Sequence, residues 1–183
     1  FNLIIFNSNL VVSSNKKKYI EFISHFDEVS IFSQPWWLDL VCGEDNWNVV
    51  LVERDGKPVA SLPYCIKKKL LVNVITQPPL TQTIEPLFTI NPKNNTEKKA
   101  KLISELIAGL PSVYNFQMNL HPSLTNWLPF YWKGYSQTTY YSYVLDYEID
   151  EESIWKNMSG KRRTEIRKSI NNEVIISSNE SIE

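Results

Sequence analysis

Apolar positions along this chain switch between a period of two and a period near 3.6, and the switches predict the order of its elements. Residues 47–54, WNVVLVER, alternate as a strand. Asp55-Gly56 supplies the positive backbone angles of a two-residue hairpin turn, and residues 58–66 return antiparallel. Pro58 and Pro63 each remove a ladder donor, which predicts an edge or bulged return strand. A further strand is expected over 70–75. Ala100, Ile103, Leu106, Ile107 and Leu110 then recur on one stripe of a helix over 97–110, which Gly109 and Pro111 end. Residues 113–120 read as a strand with Tyr114, Phe116, Met118 and Leu120 on one face and uncharged polar residues on the other. A short helix over 123–128 is expected to stop at Pro129. Residues 136–147 read as a strand rich in Tyr and Thr, with Gln137, Thr139, Tyr141, Tyr143, Leu145 and Tyr147 on one face.

The two ends are patterned less clearly. Residues 1–12 read as an edge strand, followed by the polar SSNKKK patch and a helix over 18–26. A second helix starts at Pro35, whose missing N–H costs nothing in a first turn, with Ser33 or Gln34 outside it. Near the far end, Asp150 can cap a helix carrying Ile154, Trp155 and Met158, and Ser159 can cap another over 160–172. Antiparallel strands, then a helix, a strand, a short helix and another strand, predict an α+β fold: a mixed, mostly antiparallel sheet flanked by helices.

Composition narrows the function classes. The chain has 183 residues, 43% of them hydrophobic, which fits one domain or one domain plus the start of another. Its formal net charge of -1 argues against a general nucleic-acid or membrane-surface binder, so any anion site must be local. Cys42 and Cys65 are too few for a disulfide framework and read as reduced, partly buried thiols. No apolar run approaches the roughly 18 residues of a membrane-spanning helix, and the opening lacks a cationic leader, so a cytoplasmic location is expected. The chain begins with Phe and ends in a new strand-like run, NNEVIISSNESIE, which reads as a piece of a longer product.

Lys161, Arg162, Arg163, Arg167 and Lys168 crowd the first two turns of the 160–172 helix, where the macrodipole and free N–H groups already favour a phosphate or carboxylate. The competing explanation is a solvated face that pairs with Glu151, Glu152 or Glu165 while Ile166 and Ile170 meet a core. Helical spacing scatters these cations around the axis, which disfavours duplex DNA. Trp36 and Trp37 diverge by about 100° on their helix, so one of them faces a groove or a second interface. In the loop TQPPLTQTIEP, Pro78 and Pro79 hold the backbone extended while Gln77, Thr81, Gln82 and Thr83 present polar groups, either to a ligand or to solvent. Tyr141, Tyr143 and Tyr147 can stack a ring, or simply pack across strands. Candidate bases are Glu44, Asp45, Glu53, Asp146, His25 and His121, and nothing in their spacing pairs them. There is no Ser/His/Asp arrangement and no metal-ligand cluster, so no catalytic residue and no metal is assigned.

FSQPWWLDLV, the LTQ after the proline loop, WLPFYWKGY with QTT, and KRRTEIRKS together resemble FemAB-like members of the GNAT acyltransferase superfamily, over about residues 32–169. The resemblance implies a protein of two GNAT-like halves. Residues 1–147 would be the first, and 148–183 the start of the second or a helical extension. It implies transfer of an acyl group to an amine, from acyl-CoA or from aminoacyl-tRNA in the full-length protein. Trp36, Trp37, Gln77, Gln82, Tyr141, Tyr143, Lys161, Arg162 and Arg163 would approach an anionic or saccharide-peptide substrate. Two departures matter: the glycines are isolated, so no coenzyme A loop exists in this chain, and Tyr140 stands where an arginine is expected. A non-catalytic module that binds a ligand or docks to a partner through exposed Trp and Tyr is the alternative. Neither reading sets the oligomeric state.

Overall fold

The computed structural model describes residues 8–89, 96–141 and 149–175, with side chains from residue 15 onward. The chain divides into two compact units, Phe1–Gln137 and Thr138–Glu183.

Unit 1 is built on the hairpin of β1 (Trp47–Arg54) and β2 (Lys57–Lys69), followed by β3 (Val72–Thr76), β4 (Leu87–Phe88) and β5 (Asn115–Phe116). Asp55 and Gly56 have φ of 51° and 76°, as a two-residue turn of this hand requires. The sheet runs β1-β2-β3-β5, with β4 also on β2; every pairing is antiparallel except β3 with β5. The expected mixed, mostly antiparallel α+β architecture is therefore what forms.

The return strand is bulged but is not an edge. Val52 pairs with Ala60 and Glu53 with Pro58, which leaves Val59 as the extra residue next to the first proline. Pro63 falls between the β4 pairing at Ala60–Ser61 and the β3 pairing that starts at Cys65, where one side of β2 has no strand partner. The strand expected over 70–75 starts two residues later, because β2 continues to Lys69 and Leu70-Leu71 form the turn.

Helices cover both faces of the sheet. In α1 (Ser8–Ile23), Tyr19, Phe22 and Ile23 are buried, and Tyr19 meets the Trp47 ring edge-on at 6.2 Å. In α3 (Thr96–Ala108), Leu102, Ile103, Leu106 and Ile107 are buried. A Cβ placed on Gly109 would come within 2.4 Å of Val50 Cγ1. Trp47 and Val50 lie three positions apart on one strand and so face opposite ways, which puts α1 and α3 on opposite faces.

Several elements depart from expectation. Residues 8–12 are helical and not an edge strand, so α1 starts well before residue 18; residues 1–7 lie outside the described set. Only Asn115–Phe116 of the 113–120 segment is a regular strand. Pro129 does not stop a helix but sits in the first turn of α4 (Leu128–Trp132), where no intrahelical donor is needed. α2 (Pro35–Cys42) starts at its proline as expected.

In unit 2, α5 (Glu151–Asn157) is capped by the Asp150 carboxylate, which accepts from Ser153 N at 2.8 Å, and α6 (Gly160–Asn171) by Ser159, which accepts from Arg162 N at 3.4 Å. Residues 136–141 form no strand, and the rest of that expected strand, 142–147, lies outside the described residues. Tyr and Thr favour pleated backbone only where a neighbouring strand takes up their ladder groups.

Candidate functional site

Trp36 and Trp37 diverge as helical geometry dictates. Trp37 turns inward, edge-on to Phe32 at 5.6 Å, and its indole N–H donates to Thr81 Oγ1 at 2.9 Å. Trp36 remains 55% exposed, edge-on to Trp37 at 5.9 Å. It forms part of the wall of an open groove of about 690 Å³ together with Ile20, Phe26, Asp27 and Glu28. An exposed indole and two acidic residues along one groove suit an ammonium group.

Trp37 leads directly into the proline loop. The Thr81 hydroxyl donates to Pro79 O at 3.0 Å, and Thr81 O accepts from Gln77 Nε2 at 3.0 Å. Gln77 Oε1 accepts from Asn119 N at 2.8 Å. The Gln77 side chain thus spans the end of the β3–β5 pairing, and both ends of its amide are used within the protein. Gln82 contributes its backbone carbonyl to Asn119 Nδ2 at 3.4 Å, and its side chain is exposed. A separate parallel bridge joins Ile84 to Leu120, with Ile84 N donating to Asn119 O at 2.8 Å and His121 N to Ile84 O at 2.9 Å.

That bridge brings Glu85 beside His121. Glu85 Oε1 lies 3.6 Å from His121 Nδ1 and accepts from Ser123 Oγ at 3.1 Å, while Ser123 N approaches Nδ1 at 3.2 Å. Nδ1 has two available partners, so two tautomers are open. It either accepts from Ser123 N–H, or carries a proton directed at Glu85 and leaves Nε2 as a base. Glu85 N in turn donates to Ser33 Oγ at 3.4 Å, and Tyr19 donates its phenol proton to Ser33 O at 2.6 Å. Burial, and secondarily the charge of Glu85, push the Tyr19 hydroxyl well above its ordinary pKa, so it remains a donor. Ser33 contacts Glu85 while its neighbour Gln34 lines the Trp36 groove.

Cys42 and Cys65 are unbridged and buried. The Cys42 thiol donates to Cys65; that bond, together with burial, raises Cys42, and the same bond lowers Cys65 against the opposing effect of burial. Among the described residues, no cluster of His, Cys, Asp and Glu has the makings of a metal site. His25 closes its own helix end, its Nδ1 being 2.8 Å from Glu21 O.

Unit 2 carries the basic helix. Lys168 pairs with Glu165 at 3.7 Å, and Lys156 with Glu152 at 2.8 Å. The Arg167 guanidinium sits 5.3 Å over the Trp155 ring, and Arg163 reaches the carbonyls of Trp155 and Lys156 at 3.5 Å. Lys161 and Arg162 are exposed and have no ion-pair partner among the described residues. Ile166 and Ile170 meet no core, being 37% and 68% exposed. Tyr141 is 94% exposed, and Tyr143 lies outside the described residues.

The expected positions fall in both units. Trp36, Trp37, Gln77 and Gln82 gather in unit 1, whereas Lys161, Arg162 and Arg163 lie on one helix of unit 2. Glu85, Ser33 and Ser123 had no sequence signal, because the Ile84–Leu120 bridge that assembles them is a long-range pairing.

No protein-family model matches the chain, and no curated protein matches it. Among solved structures it is similar to an aminoglycoside acetyltransferase, meta-AAC0020, from an uncultured soil metagenomic sample, in complex with sisomicin. That match has 13% identity and a TM-score of 0.34, and covers 76% of this chain and 91% of that one. It is also similar to the apo aminoglycoside antibiotic 6'-N-acetyltransferase AAC(6')-IG from Acinetobacter haemolyticus, with 15% identity, a TM-score of 0.35 and coverage of 75% and 94%. A third is a mutant of the BH1408 protein from Bacillus halodurans, with 11% identity, a TM-score of 0.34 and coverage of 75% and 89%. Identities this low leave the chemistry to be read from the chain's own residues.

Proposed function

We propose that this chain serves an N-acyl or aminoacyl transfer of the FemAB/GNAT type, with unit 1 receiving the amine. The observation that carries the proposal is the His121–Glu85 pair, 3.6 Å apart, with Glu85 N bonded to Ser33, whose chain neighbour Gln34 lines a groove with Trp36, Asp27 and Glu28. A primary amine arrives in water as an ammonium ion. Trp36 offers it a ring face and Asp27 and Glu28 offer it negative charge, so it can be held before it reacts.

To attack an activated ester or thioester, the amine must lose its proton. In the tautomer with Nδ1–H directed at Glu85, His121 Nε2 has a lone pair to take that proton, and Glu85 stabilises the resulting imidazolium. The donor is defined only by its chemistry, an acyl-CoA or aminoacyl-tRNA; taken by itself, the capped start of α6 with Lys161 and Arg162 suits a phosphate group. The five isolated glycines offer no pyrophosphate cradle, so no step is assigned to coenzyme A itself. A saccharide-peptide bearing a primary amine fits the acceptor role, and unbridged thiols suit the reducing conditions of a cytoplasm.

The test is acyl transfer by the protein to a panel of primary amines, from acetyl-CoA and from aminoacyl-tRNA, read by mass spectrometry. At fixed pH, His121→Asn should lower the transfer rate by about 10²-fold or more. Saturable amine binding without transfer from either donor would favour the non-catalytic module instead. That second reading draws its support from Gln77, whose amide is consumed inside the protein at both ends.

A further inference from the structure

We infer that the β2–β3 hairpin tip is a docking element for the surface of an anionic phospholipid bilayer. Leu70 and Leu71 form the two-residue turn and are 96% and 93% exposed, so both side chains project almost wholly into solvent. Leu70 holds φ at 54°, a position where glycine or asparagine would relieve the backbone and a polar residue would improve solubility. The sequence places its largest aliphatic side chain there instead. Val72 is 39% exposed behind the turn.

The adjacent strand extends the apolar tip. Tyr114 N donates to Asn73 O at 2.9 Å, which sets Tyr114 beside the start of β3, and its ring is 83% exposed. A tyrosine next to protruding leucines is the arrangement favoured at a lipid–water boundary, with the ring among acyl chains and the hydroxyl wet.

Charge chooses the partner. Lys67, Lys68 and Lys69 lead into the turn, and no Asp or Glu occurs between residues 57 and 84. Among the described residues, none of the three lysines has an ion-pair partner. The near-neutral net charge excludes a basic field over the whole molecule but not one confined to this hairpin. A second copy of the chain fits poorly, because tip-to-tip contact would bring both sets of lysines together. Anionic headgroups satisfy the lysines while the acyl boundary takes up the leucines, and their alkyl stems let the lysines reach back to the phosphates.

The experiment is flotation of the full chain with vesicles of phosphatidylcholine alone and with about one third phosphatidylglycerol, at low and at physiological salt. Binding is expected to the anionic vesicles only, and to weaken with salt. Leu70→Asn with Leu71→Ser should reduce partitioning about tenfold or more for each leucine removed. Lys67, Lys68 and Lys69→Gln should reduce it about fivefold per charge. A Leu71→Trp variant should show blue-shifted emission only with anionic vesicles. The inference fails if the parent does not float with anionic vesicles at low salt, if either variant set floats as the parent does, or if neutral vesicles bind equally. It also fails if sedimentation shows a parent dimer that the leucine variant abolishes, since the tip would then be a self-interface.

Discussion

Gln77→Leu separates a ligand-contacting glutamine from a structural one. The side chain donates to Thr81 O at 3.0 Å and accepts from Asn119 N at 2.8 Å, so leucine leaves one carbonyl and one N–H without their partner. Each orphaned group costs about 1–3 kcal/mol when buried. Gln77 is half-buried, so water can reach part of the site, and a combined loss of about 2–3 kcal/mol is expected. For a chain of this length that lowers Tm by about 4–12 °C. Gln77→Glu sharpens the test: the carboxylate still accepts from Asn119 but meets the Thr81 carbonyl without a donor, so at neutral pH it should fall between the parent and leucine. Thermal unfolding followed by circular dichroism, with urea midpoints as a second measure, reads both. A leucine variant melting within about 1 °C of the parent would show that neither bond contributes, and the loop would have to be held by something else.

Gly109→Ala should destabilise by about 1–3 kcal/mol, although alanine normally improves on glycine, because the new Cβ would sit 2.4 Å from Val50 Cγ1. In urea titrations Val50→Ala should restore part of that loss, and strict additivity of the pair would refute the contact. Lys161→Ala with Arg162→Ala should weaken a phosphate-bearing ligand in calorimetry while leaving Tm nearly unchanged, since both side chains are exposed; equal affinity removes the anion site. Asp150 is held below its ordinary value of 3.8 by its bonds from Ser153 N and Ser153 Oγ. A depressed carboxylate stabilises fully above its unfolded pKa and loses that stabilisation as pH falls through its folded pKa. The start of α5 should therefore fray as pH drops below about 4. The Ser153 amide shift should report this, and Asp150→Asn should abolish the pH dependence.

Much of the scaffold was legible because its signals are local. The Asp55-Gly56 turn, Pro35 at a helix start, the stripe on α3 and the Asp150 and Ser159 caps each act within a few residues. What was not legible depends on distant partners. Residues 113–120 have an alternating pattern, but only Asn115–Phe116 has a neighbouring strand to pair with. Residues 136–141 have the composition of a strand and form none. At the site, the divergence of Trp36 and Trp37 followed from helical geometry, whereas the joining of His121 to Glu85 required a bridge between Ile84 and Leu120 that no spacing rule encodes.

That bridge also bears on the order of assembly. The β1–β2 hairpin closes through a two-residue turn and needs almost no chain to be gathered first, whereas Ile84 and Leu120 meet only after α3 has been folded back between them. The polar cluster is thus expected to form after the hairpin and to open before it. Amide hydrogen exchange should find Ile84 and His121 opening well before Val49 and Val50, so His121 and Glu85 can part while the sheet beneath them stays intact.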